Sequence, residues 1–320
     1  MHVLIIKMSS MGDIINTLPA LTDAMQAIPG IRFDWVVEEN FVQIPSWHPG
    51  VDKVLPVAIR RWRKHWFGSK QHEERVRFKC NLQSRQYDAV IDTQGLVKSA
   101  ALVTRLARGV KHGQDSSSAC EPFASWWYDK CHEINKQQHA VERQRELCAK
   151  SLGYEKSPMK GNYAIAAHFL QNIPHDSAPY LVFLHATTRD NKHWPASYWR
   201  ELISLLQPTK VCIKLLWSSE HEYQRVHWIA EGFDYVEILP QLTLKEVAYV
   251  LGGAKAVVSV DTGLSHLAAA LDRPNITLYG PTDPKLIGSY GQNQHIIKAN
   301  KGNMAAIGAN EVLAKLKELL

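Results

Sequence analysis

Several familiar signatures are missing from this 320-residue sequence. No stretch approaches the ~18–20 consecutive apolar residues of a membrane-spanning helix. The N-terminal "MHVLIIKMSS" has too short an apolar run, and no small-residue cleavage pattern, for a signal peptide. A soluble, cytoplasmic protein is therefore expected. No C-x-x-C occurs, and the five cysteines (Cys80, Cys120, Cys131, Cys148, Cys212) are odd in number and scattered. They read as reduced, mostly structural thiols and provide no metal site. H-E-x-x-H is absent. So is D-x-D, the carboxylate pair that holds a divalent ion on the nucleotide diphosphate in one class of sugar transferases. No metal and no cofactor are expected. There is no G-x-G-x-x-G, which counts against a dinucleotide enzyme. No low-complexity tract and no 20–50-residue repeat appears.

What is present suits a globular enzyme. Hydrophobic residues make up 45% of the chain, enough for a sizeable core. The formal charge of +6 is modest but clustered. "IRRWRKHW" (59–66) sets Arg60, Arg61, Arg63 and Lys64 among Trp62 and Trp66. One reading is a solvated basic helix face. The other is a surface for an anionic partner, with tryptophans at headgroup depth and cations on an anionic membrane surface. Nucleic acid is not expected as a partner, because no zinc-finger, RNA-recognition or helix-turn-helix pattern accompanies the cluster.

Strands alternate with helices in both halves, the pattern of parallel sheets covered on both faces. In the first half the strands are "HVLIIK" (2–7), "FDWVVEE" (33–39) and "YDAVIDTQG" (87–95), with a helix at about 14–27 and another in "LVKSAALVTRLA". The middle, about 112–175, reads as mostly helical and includes "HAVERQRELCAKSLG", stopped at Gly153. The alternation resumes with "YLVFLHATT" (180–188) and runs to "NITLYGP", which is expected to close the second sheet. The fold class is α/β, with a domain boundary near 155–178. The expected domains are 1–165 and 166–320, and the last helix is a candidate to pack back on the first.

Doubly wound domains place ligands at the carboxyl ends of their strands. "VVSVDTGLSHLAAAL" brings Asp261, Thr262 and Gly263 to a helix start, where unpaired amides and the dipole favour an anion. Asp261 or Thr262 as a plain N-cap is the alternative. His266 follows one turn on, either as core or as a donor to a ligand. "FLHATTRDNKHWP" adds Thr187, Thr188 and Lys192, a surface lysine or a cation for a diphosphate. At the other end, "KMSSMGD" has the strand–turn–helix layout of a phosphate site, yet it carries a carboxylate. Asp13 caps the next helix, or it takes a proton from an attacking hydroxyl. Lys7, Ser9 and Ser10 surround it.

"KMSSMGD", "HATTRDNKHWP" and "VDTGLSHLAAALDRPNITLYGPTDP" together resemble the bacterial ADP-heptose:lipopolysaccharide heptosyltransferases, along essentially the whole chain. "FDWVVEENFVQIPSWHPGVDKVLPVAIRRWRK" and "DAVIDTQGLVKSAALVTRLA" are similar to the type that adds the first inner-core heptose. The resemblance implies a glycosyltransferase-B fold, two Rossmann-like doubly wound domains facing a central cleft. It implies inverting, metal-independent transfer of L-glycero-D-manno-heptose from ADP-heptose to the first Kdo of Kdo2-lipid A, by a cytoplasmic enzyme held peripherally at the inner face of the inner membrane. It implies Asp13 as general base and Lys192 as a catalytic cation. Thr187, Thr188, Lys192, Glu222, Asp261, Thr262, Gly263 and His266 would bind the donor. Lys7, Ser9, Ser10, Arg60, Arg61, Arg63, Lys64, Lys98, Arg105, His139 and Arg143 would face the acceptor. Relatives tend to carry Arg in the stretch "SSSACEPFAS", where this chain has Cys120, so one acceptor-side cation is missing.

Three rivals remain at this level. A dehydrogenase would use Glu38 or Glu39 after the second strand. A non-catalytic module would capture a sugar nucleotide or lipid without turnover. A close relative would act on a later inner-core acceptor.

Overall fold

The computed structural model describes residues 1–65, 67–171 and 178–320. The chain forms two compact units, Met1–Ala164 and Ile165–Leu320. Each contains one six-stranded, all-parallel sheet.

In the first unit the strands are β1 His2–Ile6, β2 Arg32–Glu38, β3 Val51–Val57, β4 Ala89–Asp92, β5 Val110–Gln114 and β6 Lys130–His132, in the spatial order β3-β2-β1-β4-β5-β6. In the second they are β7 Tyr180–Leu184, β8 Cys212–Leu215, β9 Val236–Ile238, β10 Ala256–Val260, β11 Asn275–Tyr279 and β12 Gln294–Lys298, in the order β9-β8-β7-β10-β11-β12. Both sheets therefore share the doubly wound order 3-2-1-4-5-6. The α/β class read from the sequence holds. The central strands β1, β4, β7, β10 and β11 are almost wholly buried, as strands covered on both faces must be.

The structure corrects the sequence reading in four places. The 14–27 helix is two helices, Met11–Ile15 and Leu18–Ala27. Pro19 lies in the first turn of the second, where its missing N–H costs nothing, but it could not have continued the first. The middle is not mostly helical, because β5 and β6 run through it. Their sequences, "VKHGQ" and "KCH", are short and polar; β6 is the sheet's edge strand and β5 lies next to it, paired on both sides. Strand β3 is an addition to the strands expected in the first half. It contains Pro56 and pairs along one side only, with β2, as an edge strand permits. Finally, "NITLYGP" does not close the second sheet, since β12 lies outside β11. Helix Ala140–Leu152 does end at Gly153, whose φ of 75° suits glycine.

Each unit has its own apolar core. In the second, Trp194, Trp199, Phe183 and Leu202 pack with Val312 and Leu316 of the last helix, Ala309–Lys317. In the first, Arg145 is only 1% exposed. It donates to Asp23 Oδ2 at 2.7 Å, to Glu142 Oε1 at 2.8 Å and to the carbonyls of Ser157 and Met159. That set ties helix Leu18–Ala27 to helix Ala140–Leu152 and to the segment leaving the unit.

His48 is buried as well. Its Nδ1 accepts from Gly50 N at 3.1 Å, which puts the ring proton on Nε2, 3.0 Å from Thr22 Oγ1. Burial holds its pKa down to about 4, against about 6.5 in an unfolded chain. Between those values the unfolded chain takes up a proton that the folded chain refuses. Stability should therefore be intact above pH 6.5 and fall as pH drops toward 4, by up to about 1.4 kcal/mol per pH unit. Urea titrations across this range should show the midpoint falling, and His48→Gln should flatten part of that slope.

Candidate active site

The order 3-2-1-4-5-6 leaves a crevice at the carboxyl ends of the first and fourth strands, where successive connections leave in opposite directions. In the first unit this point lies between β1 and β4, and it holds the Lys7–Asp13 loop. Gln94, just past β4, turns its Oε1 to the amides of Met8 and Ser9, at 2.9 and 3.1 Å. Trp35 Nε1 donates to the Lys7 carbonyl at 3.0 Å. Lys7 Nζ donates to the Thr93 carbonyl at 2.8 Å. Lys7 is buried, and its pKa is lowered chiefly by that burial, against the opposing pull of Asp13. Beneath the loop Asp92 is fully buried and accepts from Gln94 N, Gly95 N, Ser99 Oγ and Thr104 Oγ1. Burial raises its pKa, while those donors pull the other way.

Ser10 is the N-cap of helix Met11–Ile15, and Asp13 is its third residue. Ser10 N and Ser10 Oγ both donate to Asp13 Oδ2, at 2.9 and 2.7 Å. Ser10, and not Asp13, is therefore the N-cap; Asp13 closes a capping box from the third helical position, and that contact restrains its carboxylate. Of the other acceptor-side candidates, Arg143 bears electrostatically on Lys7, and its buried Nε has no hydrogen-bond partner. His139 caps helix Ala140–Leu152 through Nδ1. Lys98 lies close enough to Glu38 to lower its pKa, which burial raises.

The basic stretch does not present its tryptophans as expected. Trp62 is core: it packs on Phe78, with ring centroids 6.0 Å apart, and donates to Glu74 Oε2 at 2.7 Å. One helical turn, Ile59–Trp62, must bury Ile59 and Trp62 together, so its cations point outward. Trp66 lies outside the described residues. Arg61 pairs with Glu39 and Glu74 at 3.0 and 2.8 Å. Arg60, Arg63 and Lys64 are exposed. Arg105 is also exposed and stands at the mouth of a separate cavity, none of whose lining residues comes from the Lys7–Asp13 loop.

In the second unit the equivalent point lies between β7 and β10. Thr187 Oγ1 donates to the Asp261 carbonyl at 2.9 Å, and Lys192 Nζ to Asp261 Oδ2 at 2.6 Å. Thr282 Oγ1 donates to the same carboxylate oxygen. Thr262 is the N-cap of helix Gly263–Ala270. Its carbonyl takes Ser265 N and Oγ, leaving Gly263 as the first helical residue. His266 is buried in the following turn, and Thr188 is exposed. Glu222, after β8, accepts from Ser218 N and Oγ at 2.7 and 2.8 Å. His185 is buried, donates Nε2 to the Leu216 carbonyl at 3.0 Å, and is held neutral with its pKa pushed down to about 4.

Thr187, Lys192 and Asp261 thus converge, as do Lys7, Ser9, Ser10 and Asp13. Sequence reasoning gave no role to Gln94, Asp92 or Thr282. Asp92 ends β4, and Gln94 and Thr282 follow β4 and β11 in "DTQG" and "YGPTDP"; that position at a strand's carboxyl end was the available signal. Among the described residues, no group of three or more His, Cys, Asp or Glu could hold a metal.

The description "Glycosyltransferase family 9 (heptosyltransferase)" fits residues 75–317. Lipopolysaccharide heptosyltransferase 1 of Escherichia coli K12 is 64% identical over 319 residues, spanning both chains completely. The solved E. coli heptosyltransferase WaaC with ADP superposes with a TM-score of 0.97 at 63% identity, covering 100% of each chain. The same enzyme with ADP-2-deoxy-2-fluoro heptose gives 0.94 at 62% identity, again with full coverage.

Gln94→Leu should leave the Met8 and Ser9 amides without an acceptor, at a cost of about 1–3 kcal/mol. Hydrogen exchange at those two amides should quicken markedly. Unchanged exchange would mean that Gln94 does not hold the loop.

Proposed function

The chain belongs to glycosyltransferase family 9, the heptosyltransferases, and from that premise we propose that it moves L-glycero-D-manno-heptose from ADP-heptose onto the first Kdo of Kdo2-lipid A in inner-core synthesis. The full-length identity of 64% to a lipopolysaccharide heptosyltransferase 1 carries this reading. The close relative solved with ADP and with a fluorinated ADP-heptose supports the donor.

The second unit binds the donor. Lys192 and the start of helix Gly263–Ala270 face the diphosphate, with Thr187, Thr188, Thr262 and His266 around them and Glu222 toward the ribose. Asp261 is the carboxylate at this turn, and it is already matched by Lys192 and Thr282. Lys192 has further N–H donors for phosphate oxygens. The first unit binds the acceptor. Its acidic sugars and phosphates are met by the Arg60, Arg61, Arg63 and Lys64 segment together with Lys98, His139 and Arg143. The acceptor hydroxyl attacks the anomeric carbon from the face opposite ADP, and the configuration inverts. Asp13 takes the hydroxyl proton while the bond from the anomeric carbon to the phosphate oxygen breaks. Both electrons of that bond leave with ADP, and Lys192 and the helix start stabilise the added charge. No divalent ion is needed for this step.

The enzyme works peripherally at the cytoplasmic face of the inner membrane. Among the described residues, no helix is long and apolar enough to cross a membrane. Attachment therefore falls to surface charge, which the 59–64 cations supply.

ADP release should depend on both ADP-heptose and Kdo2-lipid A and persist in EDTA. Release only with a heptosylated acceptor would assign the chain to a later step. Asp13→Asn retains an oxygen to accept from Ser10. It should fold and bind ADP normally while turnover falls by about 10²-fold or more. Turnover within a few-fold of the parent would remove Asp13 as base. Lys192→Ala should weaken ADP binding as well as slow turnover, and unchanged ADP affinity would take Lys192 off the diphosphate.

A further inference from the structure

A cavity of about 320 Å³ opens in the first unit between β3, helix Ser69–Leu82 and residues 101–106. Val57, Ile59, Trp62, Phe78, Leu102 and Leu106 make its walls apolar. Every charged residue of its lining is cationic: Arg75, Lys79 and Arg105. No carboxylate lines it. A sugar or nucleotide needs several convergent donors and acceptors within such a pocket, and these walls offer few. An apolar interior with a cationic mouth suits an amphiphile with an anionic head.

The surroundings agree in sign. Residues 59–82 carry eight Lys or Arg against two Glu, an excess of six that equals the formal charge of the whole chain, +6. One of those acids, Glu74, is matched by Arg61 and Trp62 Nε1, so it does not oppose an anion at the mouth. In the chain between the lining residues Trp62 and His72, Phe67 is 97% exposed, and Val76, which lines the pocket, is 47% exposed. Apolar groups held in water next to clustered cations are the pattern of a surface that meets anionic lipid.

We propose that this pocket receives one acyl chain of an anionic bilayer phospholipid, with the lipid phosphate against Arg75, Lys79 and Arg105. The proposal rests on the peripheral-membrane reading above and gives it a built site. Arg105 then serves the membrane and not the sugar acceptor.

The test uses the full chain and vesicle flotation. Vesicles of phosphatidylcholine containing phosphatidylglycerol should bind, and vesicles of phosphatidylcholine alone should not. Ala101→Trp fills the pocket without altering charge. It should weaken binding to the anionic vesicles at least tenfold and leave ADP affinity unchanged. If that variant does not fold, Val76→Glu, at a half-exposed position, should give the same loss. Full binding by a folded variant would overturn the pocket while leaving membrane attachment in place. No vesicle binding by the parent protein would overturn both. Normal vesicle binding by Ala101→Trp, with a raised KM for Kdo2-lipid A but not for its deacylated form, would assign the pocket to the acceptor's own chain and overturn the proposal.

Discussion

Between β1 and β4, and again between β7 and β10, neighbouring parallel strands send their chains away in opposite directions. The backbone at those carboxyl ends has lost its ladder partners, and buried N–H and C=O groups must still be paired. In the first unit side chains supply the partners: Gln94 takes two amides, Trp35 and Lys7 each satisfy a carbonyl, and Asp92 takes two more amides. In the second, Thr187 reaches across to the Asp261 carbonyl. The polar residues that look like candidates for chemistry are therefore first the residues that allow the crevice to exist. A site assembled this way is preorganised, because its scaffold cannot relax without stranding buried polar groups.

Three carboxylates at these turns show how environment separates roles among like groups. Asp92 is sealed in and saturated by four donors, with its pKa raised by burial; it is structural. Asp261 is 8% exposed and is matched by Lys192 at 2.6 Å and by Thr282, so its charge is already compensated within the turn. Asp13 is half-buried, receives its hydrogen bonds from Ser10, and ends the loop instead of lying beneath it. Of the three, only Asp13 has the combination of access and restraint that a proton acceptor requires. The capping contact and the general-base role proposed for Asp13 are compatible, because hydrogen bonds from Ser10 restrain the carboxylate without burying it.

How much of this was legible depended on which force decided each element. The central strands are driven by burial on both faces, which writes a continuous apolar run such as "HVLII" or "AVVSV", and these were read directly. The short polar strands toward one side of the first sheet are set by pairing to neighbours already in place. Nothing in "KCH" alone announces a strand, and "VKHGQ" has one β-branched residue. Trp62 was misplaced for a related reason. Interleaving with arginines fits an interfacial belt and a buried helical face equally well, and only Glu74 and Phe78, distant in sequence, decide it. The convergence of Lys192 with Asp261 was legible because both follow central strands. Thr282 follows one too, but its role depends on the register between β10 and β11, which sequence does not print.

Charge in this molecule works on two length scales. The buried pairs, Lys192 with Asp261 at a turn and Arg145 with Asp23 between two helices, lie within 3 Å and out of water, where salt screens little. The excess in residues 59–82 is solvent-exposed and unbalanced, so its field reaches about a Debye length, ~8–10 Å at physiological salt, and no further. Such a field cannot recognise one sugar over another. It can raise the residence of the chain near any anionic surface, and it does so without altering the geometry of the turns. Under the proposed function the exposed excess serves attachment to an anionic surface, and discrimination between sugars falls to the polar side chains at the turns.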